Sequence, residues 1–325
     1  MNLEMNRTWP HAKNCLVQLL NQLPFKKNDP SFLWSPVDPR PLAYYRIFTG
    51  VVIFTMYLAL GPHWNDFFGP SGIANEPPGR MNLFSWGSFL PIEFYWYFAL
   101  FISLCFTVGF QTKIATIFLF LLQSTMVHVN RMTVNGEDLV YRFMLFYSIF
   151  ACLNGTLSVD AWLKKKMNKP APTGRMWSIR LIQMNVAMIY LFSLPAKLRS
   201  DATWLTGDFM YYTLVNSTWS RFPFPTLAYE WWFVAPMTYS ALLMEGIFPI
   251  FVWFRSLRLP LVLLISLFHL TIGIILANVT YFSLAMVSGF IVFLTEEDLK
   301  KIEFYVAKSK IIFIKYRKRQ PKVSN

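Results

Sequence analysis

The sequence predicts an all-α fold, a polytopic helical membrane protein with about eight transmembrane helices and both termini on the cytoplasmic side. Three observations lead there. Hydrophobic residues make up 55% and charged residues 14% of the 325 positions, with a mean hydropathy of +0.38; a soluble domain carries about 25% charged residues. The apolar residues gather into eight stretches of roughly 20 residues, the length needed to cross the hydrocarbon of a bilayer. The basic residues behind the net charge of +13 collect in alternate loops.

The first stretch runs from Pro41 to Leu60 and acts as the insertion signal, because the first 25 residues lack the continuous apolar core of a cleavable signal peptide. The second and third, Pro91 to Phe110 and Thr112 to Val129, are joined by a very tight turn and read as a helical hairpin. The fourth covers Leu139 to Leu157. The fifth, Trp177 to Ala196, is interrupted by Gln183, Asn185 and Ser193, and Pro195 ends it. The sixth is Phe233 to Trp253; the seventh and eighth, Leu259 to Leu276 and Ala277 to Leu294, form a second tight hairpin. This divides the chain into a cytoplasmic N-terminal segment 1–40, a transmembrane domain 41–294 and a basic cytoplasmic tail 295–325. No outer loop is long enough to be a domain. The loop Gly61 to Leu90 is a turn-rich cap with six Pro and Gly residues from Pro62 to Pro78, and Lys197 to Trp232 carries Trp204, Trp219, Trp231 and Trp232 at headgroup level.

Loop charge orients the helices. With the N-terminus inside, 23 of the 30 basic residues lie on the inner side, five (Arg80, Arg131, Lys197, Arg199 and Arg221) lie outside, and Arg46 and Arg142 fall within spans. That bias absorbs most of the +13, so no nucleic-acid partner is implied; the partner is the lipid bilayer, and the run Lys308 to Lys322 suits anionic headgroups. A bacterial inner membrane and an endoplasmic reticulum membrane give the same bias. Cys15, Cys105 and Cys152 have neither pair nor metal-ligand spacing, and the last two fall inside apolar stretches as small hydrophobes, so no metal site is expected.

Ionisable residues in spans are the functional candidates, since a charge at the bilayer centre costs at least ~2.5–3.5 kcal/mol. Glu93, Glu137, Asp138, Arg142 and Lys197 fall near outer ends of spans, Arg46 in an inner half, Glu245 and His269 near mid-membrane, with Arg199 just beyond Lys197. One polar cavity open to the outside would house most of them. Each also has a plainer reading. Lys197 and Arg199 suit interfacial anchors, Arg142 a partner for Glu137 or Asp138, Arg46 and Glu245 buried structural pairing, and His269 a hydrogen-bonded core histidine.

A set of ordered motifs goes further: Asp38-Pro39-Arg40-Pro41-Leu42-Ala43-Tyr44-Tyr45-Arg46, Gly109-Phe110-Gln111-Thr112-Lys113, Asn135-Gly136-Glu137-Asp138, Ser158-Val159-Asp160-Ala161-Trp162, Lys197 followed by Trp204 and Gly207-Asp208, and Phe268-His269. In order and spacing the chain resembles the horizontally transferred transmembrane (HTTM) domain, the membrane part of vitamin K-dependent gamma-carboxylases, from Pro36 to Leu294. The resemblance implies that Lys197 matches a catalytic base coupled to oxidation of a reduced lipid quinone, and that His269 matches a family histidine. Glu137, Asp138, Arg142, Arg199 and Glu245 make up the supporting polar cluster; a free lysine amine needs desolvation or a neighbouring cation, and Arg199 or Arg142 could supply the second. Two departures stand against glutamate carboxylation. Glu137 occupies the position of the family's other histidine, and the chain lacks room for the large outer domain that recognises the protein substrate. Stand-alone bacterial proteins similar to sporulation-delaying protein B are closer in size, which favours a bacterial inner membrane and a secreted peptide or a lipid as substrate. The expectations are therefore a lysine-base enzyme at the outer face, a non-catalytic maturation or export factor for a secreted peptide, or a transporter.

Overall fold

A computed structural model describes residues 22–23, 30–70, 72–73, 90–224 and 226–319, with side chains to residue 309. Cys15, the outer-loop prolines Pro77 and Pro78, and most of the N-terminal segment lie outside the described residues. The principal helices are α1 (Pro39–Leu60), α2 (Ile92–Val108), α3 (Thr112–Val129), α4 (Gly136–Ser148), α5 (Val159–Lys166), α6 (Met176–Ser200), α7 (Trp231–Phe251), α8 (Arg255–Ile275), α9 (Thr280–Ile291) and α10 (Glu296–Arg319). Among the described residues the regular structure is helical, with only two isolated β-bridges.

A helix stands at each of the eight expected places, and five of them (α1, α3, α6, α7 and α8) are long and apolar enough to cross a membrane. α2 and α9 are apolar but shorter, with 17 and 12 residues. The fourth stretch is corrected at both ends. α4 begins at Gly136, where an Asn135–Asp138 capping box satisfies the first turn, and stops at Ser148. The apolar residues that follow form turns, so Cys152 lies outside the helix. Pro195 does not end α6. It sits inside the helix, which continues to Ser200. Proline costs the helix its bond to the carbonyl four residues back, here Leu191, whose side chain is on an exposed face.

The bundle is assembled from α1 on α2, α3 on α4, α6 on α7 and α8 on α9. α9 is the hub, packing also against α1, α4 and α6. Its buried Ser283, Ala285, Ser288 and Gly289 explain why, since small residues let backbones approach closely where lipid and side chains are equally apolar. Polar side chains tie the helices at single points: Trp96 Nε1 donates to the Tyr57 carbonyl (2.9 Å), and Tyr45 Oη shares a hydrogen with Ser148 Oγ (2.9 Å). Such bonds in membranes are worth roughly 0.6–2 kcal/mol each.

Two of the motifs meet at one end of the bundle. Asp160, in the first turn of α5, accepts from Gln111 N (2.8 Å), Thr112 N (3.0 Å), Thr112 Oγ1 (2.8 Å) and Asn154 Nδ2 (3.2 Å). The same carboxylate faces the buried Arg46, which donates to the Leu157 carbonyl. The α2–α3 turn needs Gly109. Its φ is +72°, and a Cβ there would lie 1.6 Å from Arg46 Nη1. At the opposite end, residues 203–229 pack a small apolar cap of Met210, Leu214 and Ala228 on Val234 of α7 and on Leu276, beyond α8.

Candidate functional site

Lys197 lies in the last turn of α6, seven residues after Tyr190, which places both on one side of that helix. α7 packs against α6 and brings Glu245 to it, so that Lys197 Nζ donates to Glu245 Oε1. The two side chains are 27% and 9% exposed, which makes this a largely desolvated ion pair. Glu245 Oε2 is buried and has no hydrogen-bond partner. Trp204 covers the ammonium, with Nζ 4.6 Å from its ring centroid, and stacks on Phe209 at 3.7 Å. The short helix Thr203–Thr206 that carries Trp204 is closed by Gly207 at φ +88°, a conformation natural to glycine, and a Cβ there would press on Ala235 and Tyr239.

One layer deeper, Tyr190 Oη and His269 Nε2 are 2.6 Å apart, both side chains buried among Phe248 and Phe290. His269 Nδ1 has no partner. Tyr190 is within electrostatic reach of Glu245, and His269 of Lys197. The Lys197–Glu245 and Tyr190–His269 pairs thus lie within electrostatic reach of each other inside an apolar wall.

The rest of the expected cluster lies elsewhere. Glu137 and Asp138 open a separate cavity of about 190 Å³ with Met56, Phe68 and Tyr281. Asp138 accepts from Gln123 Nε2 (2.8 Å), and Gln123 Oε1 accepts from Tyr57 Oη (3.1 Å). No hydrogen bond or ion pair among the described residues links this group to Lys197, so the expected single polar cavity is two sites. Arg142 pairs with neither Glu137 nor Asp138. Its guanidinium lies over the Phe143 ring at 5.2 Å. Arg199 is exposed, and so is Glu93. The neighbour of Lys197 is therefore a carboxylate where a second cation was expected.

Tyr190 carried no sequence signal of its own, being one of 15 tyrosines, although its seven-residue spacing from Lys197 places the two on one helix face. Beside the pair, Leu194 and Leu198 of α6 and Pro236, Tyr239 and Leu243 of α7 line an open apolar groove of about 590 Å³. Among the described residues no group of His, Cys, Asp and Glu is arranged to hold a metal.

No curated protein and no solved structure matches the chain. The HTTM domain model matches residues 34–297. That range takes in every helix from α1 to α9, the Asp160 clamp and the Lys197–Glu245 pair, and the chain belongs to the HTTM domain family.

Proposed function

We propose that this protein is an eight-helix HTTM enzyme with cytoplasmic termini, in which Lys197 and Glu245 act together as a proton-handling pair at the outer face. The observation that carries this reading is the desolvated Lys197–Glu245 contact beside a lipid-open groove. A buried ion pair is costly to maintain for stability alone. Passing the Nζ proton to Glu245 turns the ammonium and carboxylate into an amine and an acid, with no net charge to desolvate. The amine can then take a proton from a substrate under the Trp204 ring, while Tyr190, hydrogen-bonded to His269, lies within electrostatic reach of the acid. Arginine cannot replace the lysine in this scheme, because a guanidinium does not deprotonate.

The apolar groove between α6 and α7 fits the tail of a reduced lipid quinone, with Leu194, Leu198 and Leu243 against the chain and Lys197 nearby. Such a quinol, when bound, would supply reducing electrons. The groove fits a lipid or apolar peptide substrate equally well, which is in keeping with maturation of a secreted peptide in a bacterial inner membrane. Buried Glu137 places a carboxylate where carboxylases carry a histidine, and this sets the chemistry apart from glutamate gamma-carboxylation.

The test is paired. Lys197→Ala and Lys197→Arg should both abolish the cellular phenotype, and Lys197→Arg, which keeps the charge opposite Glu245, should do so with normal insertion and expression; full function in Lys197→Arg would refute the base. Mass spectrometry of quinones and peptides that co-purify should find a quinone, or a peptide whose mass changes only when Lys197 is present. An unchanged peptide mass would identify a binding or export factor instead.

A further inference from the structure

The end of the bundle away from Lys197 holds a second cavity, of about 410 Å³, between the start of α1, the start of α6, the α7–α8 junction and the start of α10. Its wall is rich in charge, and the carboxylates are all engaged. Asp38 accepts from Arg40, Glu296 pairs with Arg40 and Lys300, Glu297 with Arg255, and Asp298 with Arg258. Arg180 differs from these cations. Among the described residues it faces no carboxylate, and its charged neighbour is another cation, Arg258. The guanidinium carbon lies 4.3 Å from the centre of the Phe32 ring and 5.8 Å from that of Trp253. Nη1 donates to Gln183 Oε1 (2.7 Å), and Gln183 is held in that orientation by its own bond to the Val292 carbonyl (2.7 Å). Nε makes one long bond to the Phe32 carbonyl (3.4 Å). Nη2 donates to nothing among the described residues.

The ring contacts and the bonds to Gln183 and Phe32 hold the guanidinium in place, and its remaining N–H donors are unused among the described residues. A half-buried cation with free N–H groups, facing a cavity whose own acids are taken, lacks an anion among the described residues. The geometry points to a binding site for a phosphate-bearing anion at this cavity, with Arg180 as its principal ligand. Phosphate matches the fork of a guanidinium, and Arg180 alone would supply it, since Arg255 and Arg258 in the same region are paired with Glu297 and Asp298. Two sources share this chemistry, the headgroup of an anionic phospholipid and a soluble phosphate compound. The site is independent of the Lys197 reading and uses none of its residues.

The experiment is thermal unfolding of the purified, delipidated full chain in detergent, titrated with inorganic phosphate at constant ionic strength or with phosphatidylglycerol against phosphatidylcholine. A saturable rise in Tm with inorganic phosphate identifies a soluble ligand, and a rise with phosphatidylglycerol alone a headgroup. In Arg180→Gln the half-saturating concentration should rise about tenfold or more. Arg180→Lys retains the charge without the fork and should be weakened several-fold, which keeps the idea testable if Arg180→Gln does not fold. No saturable rise with either probe, or equal half-saturation in wild type and Arg180→Lys, overturns the proposal.

Discussion

Splitting the Lys197–Glu245 pair should destabilise the fold asymmetrically. Lys197→Met leaves Glu245 with 9% of its side chain exposed and both oxygens without a donor, since Oε2 already has none. Removing one partner of a buried pair costs about 3–5 kcal/mol, and the partial exposure of the Lys197 position puts this case at about 3–4 kcal/mol. Glu245→Leu is milder. Lys197 is 27% exposed and retains Trp204, so its ammonium can turn toward water, at a cost of about 1–2 kcal/mol. The double variant buries two apolar side chains and should lie within about 1 kcal/mol of wild type. At about 2 °C per kcal/mol for a chain of this size, Lys197→Met should lower Tm by ~6–8 °C, Glu245→Leu by ~2–4 °C and the double variant by ~2 °C or less. Thermal unfolding in one detergent, read as a double-mutant cycle, measures this directly. A double variant whose loss equals the sum of the two single losses would show that the pair is not coupled, and the argument from desolvation would be wrong.

Other consequences are local. Gly109→Ala should cost about 3 kcal/mol or more, combining a left-handed backbone with displacement of Arg46, and should lower the yield of folded protein in size-exclusion chromatography. Asp160→Ala should cost about 2–3 kcal/mol by releasing the amides of Gln111 and Thr112. Burial alone would raise the Asp160 carboxyl, but the bonds from Thr112, Asn154 and Gln111 outweigh it and hold it below the usual range. Its stabilisation is therefore present above the unfolded value near 3.9 and is lost as pH falls through the lower folded value. The Tm difference between wild type and Asp160→Ala should accordingly shrink only in acid below about pH 4, and a difference that instead shrinks between pH 5 and 8 would exclude this assignment. Tyr190→Phe leaves His269 without its hydrogen bond, at about 1 kcal/mol; a much larger loss of cellular function than of Tm would mark Tyr190 as part of the proton path.

Much of this protein is determined locally. Membrane residence, the helical class and the places of the helices follow from composition and from runs of about 20 apolar residues, because a backbone in lipid must satisfy its own hydrogen bonds and helices do so within one segment. Helix ends are less legible. α4 stops at Ser148 although the sequence stays apolar, because the chain must turn there to deliver Leu157 to Arg46 and Asp160 to the α2–α3 turn. α6 runs through Pro195 because the freed carbonyl belongs to one residue in a long helix whose other bonds remain.

The site divides in the same way. Lys197, Glu245 and His269 stand out singly, since charge and imidazole are rare in apolar spans. Their grouping does not. Lys197 and Glu245 are 48 positions apart on different helices, and they meet because α6 packs on α7. Glu137 and Asp138 share with Lys197 an expected place near the outer end of a span, yet they open a separate cavity, where Gln123 and Asn135 hold Asp138. Position within a span can be read from the sequence, but rotation about the helix axis and choice of neighbour are set by side-chain packing. That packing gave Lys197 a carboxylate partner where sequence reasoning had expected a cation.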